Sequence, residues 1–264
     1  ASFHPGESVL ATASHDKTVR IWQGSDFASS HVLGPFIAEV NVTAFSTASP
    51  DVIAVGLRDG QLRLVNWRDG TILHEWAAHT EEVLALRFSP NGAVLASSSA
   101  DESVHISDAS SGELVRTIGD HASRVPALAF SPDGKLLATG GHDWRINLWE
   151  TDGWTQVDAM EGHTQGIYTL SFSDDGRRLL SSSSDGSSIL WDMDTRRDVL
   201  SIQGRVGALR PGSQDLATGM PDGSIYLWPS LPWDADVYAD GSDATLRLRC
   251  EVEKQRFWQA RNRH

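Results

Sequence analysis

His163-Thr-Gln-Gly-Ile167-Tyr168-Thr-Leu-Ser-Phe172-Ser173-Asp-Asp-Gly176-Arg-Arg-Leu-Leu-Ser181-Ser-Ser-Ser-Asp185-Gly186-Ser-Ser-Ile-Leu-Trp191-Asp192 is the stretch that decides the fold. Ile167 to Phe172 reads as a strand, Ser173 to Gly176 as a tight turn, and the apolar residues that follow as a second strand. Asp185-Gly186 is another turn, and it leads into an alternating run ending at Trp191, the mark of a half-buried third strand. The polar run Arg197 to Ile202 supplies a fourth. The unit is a four-stranded antiparallel meander.

The unit recurs. Asp stands at positions 16, 59, 101, 143, 185 and 222, in steps of 43, 42, 42, 42 and 37 residues, which is an internal repeat. Six residues after each comes Trp22, Val65, Ser107, Trp149, Trp191 or Trp228, so four of the six units place Trp at one offset. Val83 to Phe88 with Ser89-Pro-Asn-Gly92, and Val125 to Phe130 with Ser131-Pro-Asp-Gly134, repeat the strand and first turn. A small sheet cannot bury both faces alone, so such units stack and share a core. Four short strands every ~40–45 residues is the spacing of propeller blades, with the polar fourth strand at the outer edge.

Composition narrows the function. The 264 residues carry 22 Lys and Arg against 35 Asp and Glu, a net charge of −13. That balance argues against general affinity for nucleic acid or for an anionic membrane. No apolar run approaches the ~20 residues of a spanning helix. Cys250 is the single cysteine, so neither an internal disulfide nor a cysteine zinc cage can form, which favours a reducing, cytoplasmic setting. Within its candidate strand, Cys250 reads as a small half-buried residue.

The units resemble WD-repeat (WD40) blades over roughly residues 1 to 229. One reads His163, Ser181, Asp185, Trp191-Asp192, and the one before it His121, Thr139, Asp143, Trp149-Glu150; the His-to-Asp spacing is 22 from His79, His121 and His163. The resemblance implies an all-β propeller of six such blades, or seven in the intact protein. It also implies a structural tetrad in which the Trp N–H meets a Ser or Thr hydroxyl, the hydroxyl meets the His ring, and the ring meets Asp. Buried carboxylate and imidazole cost several kcal/mol unless all partners are present, so these histidines make poor catalytic residues.

Some units depart from the pattern. The His79 unit has Ser107 in place of Trp. The Asp59 unit has Val55 in place of the hydroxyl and no His, and the Asp222 unit keeps Thr218 and Trp228 but is shortened. These blades are expected to be less rigid. Ala1-Ser-Phe3 matches only the end of an inner strand, so the first blade is expected to be truncated and the chain to be a fragment. Residues 230–264 leave the period; Thr245 to Val252 reads as a closing or outer strand and Lys254 to His264 as a short helix or tail.

No constellation of side chains along the sequence points to catalysis. His74-Glu75-Trp-Ala-Ala-His79 has its second His one residue too late for a zinc-protease motif and ends a strand. No phosphate-loop or nucleophile-elbow motif occurs. Asp174-Asp175 and Glu81-Glu82 sit in turns, where solvated or capping carboxylates are ordinary. Asn41-Val-Thr43 is a glycosylation sequon inside an expected inner strand and is expected to be unmodified. No catalytic residue, metal or cofactor is expected.

Loops on a rigid scaffold carry function. In proteins similar to this one the contact positions are the residue before the tetrad Asp and those three and five after the tetrad His. Carried over, these are His15, Arg58, His142, Glu82, Leu84, Arg124 and Tyr168, with Ala100, Ser184, Pro221, Pro126 and Gly166. Alignment on the inner strand adds Glu39, Asn41 and Arg205. Trp144 occupies a turn position held elsewhere by Gly, Lys or Glu, and exposed Trp is enriched at interface hot spots. Arg58, Arg124 and Arg205 suit a protein or peptide partner carrying Asp, Glu or phosphate. The expected function is a non-enzymatic protein-interaction platform. The rivals are a sensor domain attached to an NTPase, kinase or protease, a hydrolase with convergent acids or histidines in its channel, and a purely structural array.

Overall fold

The computed structural model describes residues 1–119, 121–209, 215–220 and 222–228. They form six antiparallel sheets in chain order, five of four strands and a last one of three described strands, each a meander with neighbours paired in sequence. The sheets are the blades of a β-propeller. Inner strands Val40–Phe45, Val83–Phe88, Ala127–Phe130, Ile167–Phe172 and Val206–Leu209 follow one another around the channel. The first blade has a two-residue inner strand, Ser2–Phe3, paired to Ala11 and Leu10.

Local chemistry sets the turns. In the fourth blade Ser131 Oγ donates to Asp133 Oδ1 at 2.6 Å and accepts from the Leu136 amide at 2.9 Å, while Gly134 takes the left-handed conformation that closes the hairpin. The inner strand of this blade was expected from Val125 and begins instead at Ala127. Pro126 has no N–H for the ladder, and the Val125 amide bonds the Ser99 carbonyl of the third blade at 3.1 Å.

The core lies between blades. Ala85, Ala96 and Ile106 of the third blade share one buried cluster with Leu128, Leu137 and Trp149 of the fourth. Each large side chain so buried contributes ~1.5–3 kcal/mol. Backbone bonds also cross the blade boundaries, from Val40 to Ser14 at 3.2 Å and from Ile167 to Gly141 at 3.1 Å.

Two blades that lack parts of the repeat fill the space by other means. Beside Val55 and Val65 of the second blade lies fully buried Trp67. Its indole N–H donates to the Pro50 carbonyl at 2.8 Å, which also accepts from His4 Nε2 at 2.8 Å. His4 Nδ1 accepts the Glu7 amide at 2.9 Å, so its proton is on Nε2. Arg63 is buried between Phe36, 5.6 Å from its ring, and Glu75, 2.9 Å away. In the third blade, Trp76 reaches over from the outer strand of the second into the cluster containing Leu95, the cross-strand partner of Ser107. Trp76 lies so close over Gly112 that a Cβ there would come within 2.9 Å of its ring.

Among the described residues no helix is long and apolar enough to cross a membrane. The expected strand Thr245 to Val252, Cys250, the expected helix or tail to His264, and the contact position Pro221 lie outside the described residues.

Candidate functional site: the loop face

Three buried relays hold the loops in place. In the fourth blade Trp149 Nε1 donates to Thr139 Oγ1 at 3.0 Å; that hydroxyl lies 2.7 Å from His121 Nε2, and His121 Nδ1 lies 2.9 Å from Asp143. The fifth blade repeats it with Trp191 to Ser181 at 2.8 Å, Ser181 to His163 at 2.7 Å and His163 to Asp185 at 2.9 Å. Donors and acceptors run one way only: indole N–H to hydroxyl, hydroxyl to Nε2, Nδ1–H to carboxylate. Burial acts to raise the Asp185 carboxyl, but bonds from Ser187, the Thr164 amide and His163 outweigh it and hold it at about 2. Asp185 thus ties the loop before its inner strand to its own turn. Asp143 does the same through the Ala122 amide at 3.2 Å and the Arg145 amide at 3.3 Å.

The third blade keeps His79 Nε2 at 2.8 Å from Ser97 and Nδ1 at 3.2 Å from Asp101. His105 stacks on His79 with centroids 4.3 Å apart. Burial, then the neighbouring His105, pushes His79 down to about 4. The first and sixth blades retain the Trp-to-Thr bonds alone among their described residues, Trp22 to Thr12 and Trp228 to Thr218, each 3.0 Å.

The Asp143 turn carries His142 and Trp144. Trp144 is 53% exposed and has φ of 72°, the left-handed region. Three other blades place Gly60, Gly186 and Gly223 at this position, and the remaining two hold Lys17 and Glu102 there with φ of 71°. For a side chain with a Cβ that conformation costs roughly 1–2 kcal/mol. His142 joins the fourth blade to the fifth: its ring meets Tyr168 edge-on, centroids 5.2 Å apart, and its amide bonds the Arg124 carbonyl at 2.9 Å. Gly166 makes room, since a Cβ there would sit 2.5 Å from the imidazole. Burial, then the Arg124 charge, pushes the His142 pKa down, and Asp143 opposes this in part. Nε2 of His142 is buried and has no hydrogen-bond partner among the described residues.

Arg124, His142 and Tyr168 thus meet through these contacts, and Trp144 lies on the same turn as His142. The other contact positions form a line of charge. Arg58 Nη1 lies 2.5 Å from Glu39 and its Nε 3.9 Å from Glu82, and Glu82 also lies 3.8 Å from Arg124. Arg58 and Arg124, read from the sequence as positive centres of this face, lie beside these carboxylates. Arg58 is held tightly, whereas Arg124 has only the longer contact. Arg205 is exposed with no ion pair among the described residues, His15 is exposed near Glu39, and Leu84 is half-buried. Asn41 donates to Glu82 at 3.3 Å.

A channel hydrolase would need converging acids or histidines. At the far end of the inner strands, one residue before the closing Phe or Leu, stand Ser2, Ala44, Arg87, Ala129, Ser171 and Ala208. None is an acid or a histidine. Among the described residues no three His, Cys, Asp or Glu side chains group as metal ligands would.

Comparison with known proteins follows the same segments. The family model for the WD domain, G-beta repeat, matches residues 1–23, 70–108, 112–150 and 154–192, together more than half of the chain. The chain is 28% identical over 108 residues to Echinoderm microtubule-associated protein-like 3 of Homo sapiens, which covers 41% of this chain and 12% of that protein. The Mus musculus protein of the same name is 27% identical over the same shares. The matched segment is thus a small part of each relative.

Proposed function

Since the chain belongs to the WD40-repeat family, we propose that its loop face docks a protein or peptide segment whose acidic or phosphorylated side chain reaches Arg124. WD40 propellers generally mediate protein–protein interaction. The observation that carries this reading is Trp144: a large aromatic 53% exposed on the turn that also holds His142, whose ring meets Tyr168 and whose amide bonds the Arg124 carbonyl. Lys17 and Glu102 share the left-handed backbone at this position, so what sets Trp144 apart is the exposed indole, and Trp, Tyr and Arg are the common anchors of interfaces.

Glu82 sits 3.8 Å from Arg124, so an incoming carboxylate or phosphate competes with a weak internal contact. A bidentate bond to the guanidinium supplies the gain. The role is that of a non-enzymatic scaffold, and the great length of the matched relatives supports a module within a larger protein. The single cysteine supports a cytoplasmic setting.

The test is selection of binders from a random-peptide display library, followed by Kd measurement on Trp144→Ala and Arg124→Glu. Acidic or phosphorylated sequences that lose about tenfold or more in each variant are expected. Equal affinity for both variants and the unaltered chain would remove this face as the site.

A further inference from the structure

Two side chains of the loop face are unusual for turns. Among the described residues Ile37, 64% exposed, and Trp144 are the only large apolar side chains open to solvent outside a strand. Ile37 lies in the loop before the inner strand of the second blade, and its carbonyl accepts Lys17 Nζ at 3.3 Å. Trp144 lies on a turn of the fourth blade. Between them, in order around the ring, stand Glu39, Arg58, Glu82 and Arg124, each against the next at 2.5, 3.9 and 3.8 Å. All four side chains are partly open to solvent.

The face thus reads apolar, minus, plus, minus, plus, apolar. Read backwards, every charge changes sign, so the row is its own complement. A half-turn about an axis in the plane of the face, through the channel and between Arg58 and Glu82, lays the row reversed on a second copy. Glu39 then faces Arg124 of the second copy, Arg58 faces Glu82, and Ile37 faces Trp144. An axis moved one place, onto Arg58, would set Arg58 on Arg58 and Glu39 on Glu82, which like charge forbids.

We infer that two copies of this chain associate through their loop faces in this reversed register. The ends supply the burial: the indole of each copy covers Ile37 of the other and takes the Lys17 ammonium beside its ring. The charges select the register more than they supply affinity, because exposed pairs are weak. Glu39, Arg58, Glu82 and Arg124 sum to zero, so the net charge of −13 opposes contact only at longer range, where salt screens it beyond ~8 Å. The second copy covers the surface given above to a peptide, so the two compete, but the association does not depend on the peptide.

Sedimentation equilibrium of the full chain, with no peptide present, from about 1 μM to about 1 mM spans the affinities of weak and standard interfaces. A dimer with its Kd inside that range is expected; a monomer throughout overturns the proposal. Glu39→Arg and Arg124→Glu are each expected to lose about tenfold or more in self-association, because each then meets like charge at two symmetric places. An equimolar mixture of the two variants is expected to form a heterodimer near the unaltered affinity, since the exchanged charges then match at both places. Trp144→Ala, which alters no charge, is expected to weaken the dimer about tenfold, and it tests the face even if a charge variant fails to fold. The proposal is overturned if any of these variants, folded, self-associates as the unaltered chain does, or if the mixture stays monomeric. A monomer leaves peptide docking standing, and a failed peptide selection leaves the dimer standing.

Discussion

The imidazole of His142 stands edge-on to the phenol of Tyr168 across the boundary between the fourth and fifth blades, centroids 5.2 Å apart and planes at 83°. That contact fixes one wall of the loop face, and the Arg124 carbonyl on the His142 amide fixes the other. Asp143, next in sequence, is locked into the buried relay with His121. Tetrad and contact face are therefore one construction, and the rigidity of the first positions the second.

His142 reports on the charge at Arg124. Its pKa lies below the ordinary histidine value because of burial and the Arg124 charge. Arg124→Gln removes the second cause, so the pKa rises, as does binding an acidic ligand that offsets the guanidinium. The complex then holds the proton more firmly than the free chain, and affinity increases as pH falls through the His142 titration. NMR titration of the His142 ring in free chain, variant and complex checks this; an unchanged pKa in all three would contradict it.

Acid sensitivity is expected in the third blade. His79 is held at about 4 in the fold and returns to about 6.5 on unfolding. The unfolded chain binds more protons in this window, so the contribution is fully present above pH 6.5 and is lost as pH falls towards 4. By pH 5 the loss is about 2 kcal/mol, at about 1.4 kcal/mol per unit. Urea unfolding at pH 7.5 and 5 measures it, with a smaller difference expected in His105→Ala.

Thr139→Val should destabilise more than Trp149→Phe. The hydroxyl serves both the indole and His121, so its removal leaves two buried polar groups unpaired, at a cost of about 2–5 kcal/mol. The Phe substitution deletes one donor and leaves Thr139 able to serve His121, at about 1–2 kcal/mol. Urea midpoints of the two variants give the order.

Trp76 and Ser107 should be coupled. Restoring the repeat with Ser107→Trp places an indole where Trp76 already packs beside Leu95, and overpacking costs about 1–3 kcal/mol. In the Trp76→Ala background the same change should be neutral or stabilising, because the new indole finds the Ser97 hydroxyl. A double-mutant cycle reads the coupling; additive effects would mean that the two residues do not share the space.

The periodic part of the molecule was legible because it repeats: Asp143 and Asp185 with their His and Trp partners announce both blade count and relay. The core of the first two blades was not. His4, Phe45, Pro50 and Trp67 converge through three-dimensional packing, and no fixed spacing links them. Trp76 was hidden for a related reason, since it serves the blade after its own. The meeting of His142 with Tyr168 and with the Arg124 carbonyl follows from blade register. Charge was the weaker reading, because Glu39 and Glu82 reach Arg58 and Arg124 through side-chain geometry that residue counts do not contain.

The central claim is that the exposed Trp144 is the anchor of the loop face, and Trp144→Gly tests it most directly. Glycine relieves the left-handed strain, so the fold should gain about 1 kcal/mol while the anchor is lost. The decisive measurement is the Kd of a display-selected acidic peptide for this variant against the unaltered chain. A loss of about thirtyfold or more, near 2 kcal/mol, is predicted; an unchanged Kd would contradict the account.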